Sequence, residues 1–249
     1  MNKIYLGDCL EKMDELISQG VKVDAIITDP PFGTTKCSWD SIIPFDEMWR
    51  RLNQLIKPNG AIVLFGSEPF SSALRMSNIK NYKYDWIWQK NAGSNFGSVR
   101  FQPMKEHENI SIFGKGKINY YPIRQKRADS GLARQKTPIK YNTNTSVYSD
   151  SLHKELKVNL PKDRVPSSIQ KFNRERGLHP TQKPVALIEY LIKTYTNENE
   201  LILDFTIGSG TSAIAALNTN RRYIGIEKDE NYYNITLERI KNNKPYQLS

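Results

Sequence analysis

Leu201-Ile202-Leu203-Asp204-Phe205-Thr206-Ile207-Gly208-Ser209-Gly210-Thr211 is an apolar run that ends in a pair of glycines. A short, nearly unbroken apolar stretch bounded by turn residues suits a parallel strand covered on both faces. The residues after Gly210 predict a helix through Leu217, then a strand Arg222 to Glu227 and a last helix from Asp229 onward. Strand, glycine turn, helix and strand in that order predict a crossover unit of a doubly wound α/β sheet. The glycines allow a ligand to approach backbone that a side chain would block, and Glu227, at the end of the next strand, is placed to accept hydrogen bonds from ribose hydroxyls.

The first half of the chain repeats the theme. Lys3 to Leu6 reads as a strand, and Leu10, Met13, Leu16 and Ile17 recur at helical spacing. Val23 to Thr28 is a second buried-type strand, stopped by Asp29-Pro30-Pro31. Phe45, Met48, Trp49, Leu52, Leu55 and Ile56 mark a helix ended by Lys57-Pro58-Asn59-Gly60, after which Ala61 to Phe65 is again a strand. Tyr84 to Trp88 and Asn109 to Phe113 predict an antiparallel pair at one sheet edge, joined by a Gly/Ser/Asn-rich loop from Asn91 to Ser98. Near the other end, Pro184, Leu187, Ile188, Leu191, Ile192 and Tyr195 fall at helical spacing, with Pro184 suited to the first turn. The expected fold is a Rossmann-like, mostly parallel sheet formed by residues 1–114 and 179–249, with residues 115–178 inserted.

That inserted segment differs in composition. Periodicity fades between Lys115 and Leu178, which hold 15 Lys and Arg against 5 Asp and Glu, whereas the rest of the chain has 21 of each sign. The whole formal excess of +10 therefore lies in one stretch, interleaved with Tyr120, Tyr121, Tyr141, Tyr148 and Phe172. A solvated lysine-rich loop would account for the charge; the added rings favour a polyanion that also offers stacking surfaces. Cys9 and Cys37 are too few for a disulfide framework and have no neighbours for a zinc site, so no metal is expected. With no apolar run of membrane-spanning length, a soluble cytoplasmic protein is expected.

The glycine turn alone leaves the ligand open, since Gly208-x-Gly210-x-x-Ala213 also meets the loose dinucleotide pattern of a nicotinamide enzyme. Thr28-Asp29-Pro30-Pro31-Phe32-Gly33 decides between them. Paired prolines fix φ and remove two N–H donors, so the tip presents a carboxylate and carbonyl acceptors beside an aromatic ring. Acceptors without donors suit an amino-group substrate. The amine of adenine or cytosine is a poor nucleophile because its lone pair is delocalised into the ring. Hydrogen bonds from that amine to the Asp29 carboxylate and the Pro30 carbonyl would favour a tetrahedral nitrogen, which is catalysis by orientation and electrostatics. Phe32 would stack on a base taken out of the helix, a contact worth about 1–3 kcal/mol against an extrusion cost of a few kcal/mol.

These two motifs stand among others in a fixed order: Tyr5-Leu6-Gly7-Asp8-Cys9-Leu10, Lys57-Pro58-Asn59-Gly60, His179-Pro180-Thr181-Gln182-Lys183-Pro184 and Tyr223-Ile224-Gly225-Ile226-Glu227. The chain resembles the amino-group DNA methyltransferases that modify adenine N6 or cytosine N4, in the permuted beta arrangement where Asp-Pro-Pro-aromatic precedes the cofactor loop. The resemblance implies S-adenosylmethionine as cofactor and Asp29, Pro30, Pro31 and Phe32 as the catalytic tip. It puts Asp8 and Cys9 on the cofactor's adenine, Lys183 and Pro184 near its amino-acid end and Glu227 on the ribose. Asp29, Asp204, Phe205, Thr206, Gly208, Ser209, Gly210, Thr211 and Ser212 complete the expected cofactor-binding set. It also makes residues 115–178 a target-recognition region for double-stranded DNA, admits a homodimer and a cognate restriction endonuclease as partners, and puts Asn91 to Phe96 at the target-base pocket.

The sequence departs from the family in two places. Asp204-Phe205-Thr206 stands where Asp-Pro-Phe is usual, and Phe32 where Tyr is commoner. Asp29 points to adenine N6, cytosine-N4 members more often carrying Ser there. An RNA or protein-amide methyltransferase and a catalytically silent DNA-binding module remain as rival readings.

Overall fold

A computed structural model of the chain describes residues 2–33, 40–127 and 163–243. Cys37, Tyr141, Tyr148 and most of the basic segment lie outside these residues. The chain divides into two compact units, residues 1–121 with 168–249, and residues 122–167.

The first unit is built on an eight-stranded sheet. Its strands are β1 (Lys3–Leu6), β2 (Val23–Thr28), β3 (Ile56–Gly66), β4 (Tyr82–Gln89), β5 (His107–Phe113), β8 (Ile169–Lys171), β9 (Leu201–Asp204) and β10 (Arg222–Glu227). Their order is β1-β10-β9-β2-β3-β5-β4-β8. β1, β10, β9, β2 and β3 are parallel, while β5 runs antiparallel to both β3 and β4. The helices are α1 (Cys9–Ser18), α2 (Phe45–Leu55), α3 (Phe70–Ser77), α4 (Val185–Tyr195), α5 (Thr211–Asn218) and α6 (Glu230–Asn242). The mostly parallel α/β architecture expected from the sequence is therefore present.

Alternation along the central strands explains the layering. In β3, Ala61, Val63 and Phe65 face a core shared with Leu187, Ile188, Leu191 and Ile192 of α4 and Ala213 of α5. Ile62 and Leu64 face the opposite core, with Met13 and Leu16 of α1, Met48 and Leu52 of α2, and Phe70 and Leu74 of α3. Every residue of β2 is buried, as a strand covered on both faces requires.

Four details depart from the sequence reading. Lys57-Pro58-Asn59-Gly60 does not separate helix from strand. β3 begins at Ile56, and the register slips so that Val23 and Ala25 face Ile56 and Ala61. Gly60 permits this bulge, because a Cβ there would lie 2.5 Å from Ile56 Cδ1 and 2.7 Å from the Asp24 carbonyl oxygen. α3 was not anticipated at all. The β4/β5 pair is one strand in from the edge, because β8 adds in parallel to β4. Consequently the first unit extends to Tyr121 and resumes at Ser168, inside the 115–178 boundaries read from charge.

The described part of the second unit includes β6 (Gln125–Lys126) paired antiparallel with β7 (Asp163–Arg164). No helix among the described residues is long and apolar enough to cross a membrane.

Candidate active site

The chain leaves β2 through α2 toward β3 on one side, and leaves β9 through α5 toward β10 on the other. Since β2 and β9 are neighbours, their carboxyl ends flank the switch point of the sheet, where an open α/β sheet forms a crevice. A cavity of about 1040 Å³ opens there. It is lined by the β2 tip Asp29 to Phe32, the β9 turn Asp204 to Ser209, Asp8 and Cys9 after β1, and Glu227 at the end of β10. Drug-sized ligands occupy sites of about 300–1,000 Å³, so the space suffices for a nucleoside cofactor and a base together.

Hydroxyl groups join the two loops. Thr28 Oγ1 donates to Asp204 Oδ1 at 2.6 Å and lies 2.6 Å from Thr206 Oγ1, which donates to the Asp29 carbonyl at 3.0 Å. Thr206, at one of the departures from the family pattern, thus bridges the glycine loop to the Asp-Pro-Pro tip. Burial pushes the Asp204 carboxyl up to about 6, against hydrogen bonds from Ser212, Thr28 and the Thr206 N–H.

The turn after β9 has Gly208 at φ 56° and Gly210 at φ 82°. Gly208 faces the cavity, and a Cβ there would meet only the His179 ring, 3.8 Å away. Gly210 points away, where its Cβ would lie 2.8 Å from Thr236 Cγ2 of α6, so this glycine serves close packing and does not line the cavity. Glu227 accepts from the Gly208 N–H at 2.7 Å and the Asp229 N–H at 2.9 Å. Each carboxylate oxygen keeps a further lone pair for a ligand.

Asp8 is the N-cap of α1, accepting from the Leu10 N–H at 2.9 Å, and also lines the cavity. Burial pushes the Cys9 thiol up to about 12, so it presents a neutral, weakly polar surface. Thr211 and Ser212 line the cavity from the start of α5. Pro184 is the N-cap of α4, one position earlier than expected, and does not line the cavity.

The tip is held electrostatically. Lys183 Nζ lies 2.5 Å from Asp29 Oδ2 and 3.2 Å from Glu108 Oε2, and Lys90 Nζ lies 2.6 Å from Glu108 Oε1. Four charges of alternating sign therefore run from Lys90, just past β4, through Glu108 of β5 and Lys183 to the Asp29 tip. Burial pushes Asp29 up to about 6 against the pull of Lys183, with Glu108 adding repulsion. Burial opposes the charge on Glu108 as well, but Lys183 and Lys90 outweigh it and hold its carboxyl below the usual range. The same two carboxylates outweigh burial at Lys183 and keep its ammonium protonated. Buried ion pairs add little net stability, and perturbed carboxylates in a cleft mark functional sites.

Asp29 Oδ1 is buried and has no hydrogen-bond partner among the described residues. An acceptor left so is costly unless a ligand donates to it. Phe32 beside it is half-buried, with its ring centroid 5.0 Å from that of Phe70 and 5.8 Å from Lys183 Nζ. The Phe65 and Trp88 side chains also line the cavity.

Sequence reasoning missed Glu108, Lys90, Phe65 and Trp88. It also assigned Lys183 only a place near the cofactor, whereas its ammonium group sits on Asp29. His179 and Tyr232 were missed as a pair, their ring centroids 4.2 Å apart at the cavity wall. Burial, with help from Lys183, pushes the His179 imidazole down to about 4, so the ring is neutral.

The model of the DNA methylase family matches residues 23–238. The type II methyltransferase M1.MboII of Moraxella bovis is 28% identical over 94% of this chain and 94% of its own length. M.HinfI of Haemophilus influenzae, another type II methyltransferase, is 28% identical over 98% of this chain and 70% of its own. The crystal structure of the M1.HpyAVI–SAM complex superimposes with a TM-score of 0.67 at 29% identity, over 96% of this chain and all of that one. A cleft at the switch point, a carboxylate tip facing a glycine loop and a match that spans both motifs lead to one conclusion: this chain belongs to the DNA methylase family of the N6-adenine/N4-cytosine type.

Proposed function

We propose that the protein is a site-specific DNA methyltransferase that transfers a methyl group from S-adenosylmethionine to the exocyclic N6 of an adenine taken out of the duplex. The observation that carries this reading is the Asp29 carboxylate, with Oδ2 engaged by Lys183 and Oδ1 buried without a partner among the described residues. An exocyclic amine suits that acceptor because it brings N–H donors, and a donor bond to an anionic acceptor is among the stronger hydrogen bonds.

S-adenosylmethionine, when bound, supplies an electrophilic methyl group on a sulfonium. Gly208, Ser209, Asp8, Cys9 and Glu227 line the half of the cavity suited to it. Asp29 draws electron density toward the amine nitrogen through its hydrogen bond and stands ready for the proton that nitrogen sheds as the new bond forms. Phe32 and Pro31 give the base an apolar wall, and their exclusion of water strengthens the Asp29 bond.

Adenine, in preference to cytosine, rests on the carboxylate at the first position of the tip. The basic segment 115–178 is the proposed target-recognition region, with phosphate contacts from its lysines and arginines and base contacts alongside. A homodimer, a companion endonuclease and a cytoplasmic location belong to the same proposal.

The test is to incubate the protein with S-adenosylmethionine and unmethylated mixed-sequence duplex DNA, digest to nucleosides and identify the products by mass spectrometry. N6-methyladenine is expected. N4-methylcytosine would keep the mechanism and correct the base. Methylation of RNA alone, or no methylated nucleoside from a protein that binds the cofactor, would overturn the reading.

A further inference from the structure

The loop between β4 and β5 has no role in the site described so far beyond its stems. Ser94, Asn95, Gln102 and Lys105 line the cavity, whereas the tip between them projects outward. Phe101 is 90% exposed, Phe96 65% and Val99 46%. Three large apolar side chains within six residues form a cluster where isolated ones would be ordinary.

This exposure is not that of an unstructured loop. Phe96–Ser98 form a 3-10 turn, and the N–H groups of Phe101 and Gln102 donate to the Ser98 carbonyl at 2.9 and 3.1 Å. Asn95 clamps the stems, donating to the Pro103 carbonyl at 3.0 Å and accepting from the Lys105 N–H at 2.7 Å. The base of the loop is fastened by the Arg174 side chain, which donates to the Gly93 carbonyl at 3.1 Å, and by the Lys105 ammonium group on Ser67. The backbone is thus braced to hold the rings in water.

Charge indicates what covers them. Between Asn91 and Lys105 there are two basic residues, Arg100 and Lys105, and no acidic one. Arg100 directly precedes the most exposed ring. An aromatic tip with a cation at its side, at the mouth of a cavity sized for a base, matches a polyanion with stacked planar rings inside it.

We infer that residues 96–101 form a wedge that enters the duplex where the target base leaves, with Phe101 occupying the vacated stack and Arg100 meeting the adjacent phosphate. This rests on the proposed action on DNA and adds the element that extrudes the base. A side chain that fills the gap stabilises the extruded state and prevents the base from returning, so it matters only when the base starts inside a paired stack.

The experiment follows from that condition. Sequencing of methylated DNA for the modified base gives the recognition site, and two oligonucleotide duplexes of that sequence are made, one with the target paired and one with it opposite an abasic site. Phe101→Ala is expected to lower kcat/KM on the paired duplex about tenfold or more, as loss of one stacking contact implies. On the abasic-opposed duplex it should stay within about twofold of wild type, since little unpairing remains to be offset. Phe101→Trp should keep activity on both. S-adenosylhomocysteine affinity, measured by calorimetry, should be unchanged in both variants, because the ring is exposed and does not line the cavity.

Equal losses on the two duplexes would show that the loop shapes the pocket instead, and no loss on either would remove the wedge altogether. Both outcomes leave the functional proposal standing. A wild-type protein that methylates neither duplex would instead bring down the functional proposal, and this one with it.

Discussion

Lys183→Met tests whether the ammonium group on Asp29 sets the ionisation on which methyl transfer depends. The substitution keeps an unbranched side chain of similar length and removes the cation that lies 2.5 Å from Asp29 Oδ2. A buried carboxylate left charged without its partner would cost about 3–5 kcal/mol. Protonating Asp29 at pH 7, starting from a carboxyl already raised to about 6, costs only about 1.4 kcal/mol. Protonation is the cheaper response, so the variant folds and loses acceptor strength. An opposite charge at this range lowers a carboxyl by about 1–3 pH units, so its removal raises Asp29 from about 6 by that amount. With a rise of about two, the ionised fraction at pH 7 drops from about nine-tenths to about one-tenth, a loss of about tenfold.

The sign follows from the role of the anion: activity is present above the Asp29 pKa and is lost as pH falls through it. The acid limb of kcat/KM, which reports the free enzyme, should fall near pH 6 in the wild type. In Lys183→Met it should move alkaline by about 1–3 pH units, with activity largely regained near pH 9. Transfer of a radiolabelled methyl group to duplex DNA across a pH series measures it. A uniform loss at every pH, with the limb unmoved, would refute the electrostatic role of Lys183.

The neighbouring carboxylate should do the opposite. Glu108 repels the Asp29 charge and competes for Lys183, so Glu108→Gln should shift the acid limb below pH 6; a limb displaced toward alkaline pH would contradict the charge chain. Gly210→Ala should reduce stability by about 1–3 kcal/mol through its left-handed backbone and the clash with Thr236. Thermal unfolding would read this as a fall of about 2–4 °C per kcal/mol, and an unchanged Tm would show that the turn relaxes freely.

The parallel strands could be read from the sequence because β2, β3 and β9 are buried on both faces and their apolar runs need no partner to be recognised. β8 could not. Of Ile169–Lys171 only Gln170 is buried, and the segment is a strand because β4 offers it an open row of backbone groups. α3 was hidden for a related reason: it starts after Pro69, spans eight residues and shows only Phe70 and Leu74 as a stripe. At the site, the Asp-Pro-Pro tip and the glycine turn were legible because unusual backbone needs particular residue types. Glu108 and Lys90 were not, since an ion pair between one residue of β5 and another just past β4 carries no local pattern, and the burial that makes these charges unusual exists only in the folded sheet. The same holds for Lys183, which precedes α4 and whose partner Asp29, at the end of β2, is 154 residues away in the chain.

The strand added at the sheet edge bears on how such an enzyme can change. Tyr121, the last residue of the first unit before the basic segment, donates its N–H to the Thr194 carbonyl at 2.8 Å, and its hydroxyl accepts from Asn197 at 2.7 Å. On return, the Ser168 carbonyl accepts from the Ile87 N–H at 2.8 Å and β8 follows along β4. Both ends of the intervening chain are thereby moored to the sheet. The entropy of closing a chain between fixed ends grows slowly with its length, by about 0.6 kcal/mol per doubling. Residues 122–167 therefore start and finish at fixed points of the first unit, so a change in the length of that stretch leaves the strands that carry the Asp29 tip and the glycine turn in place.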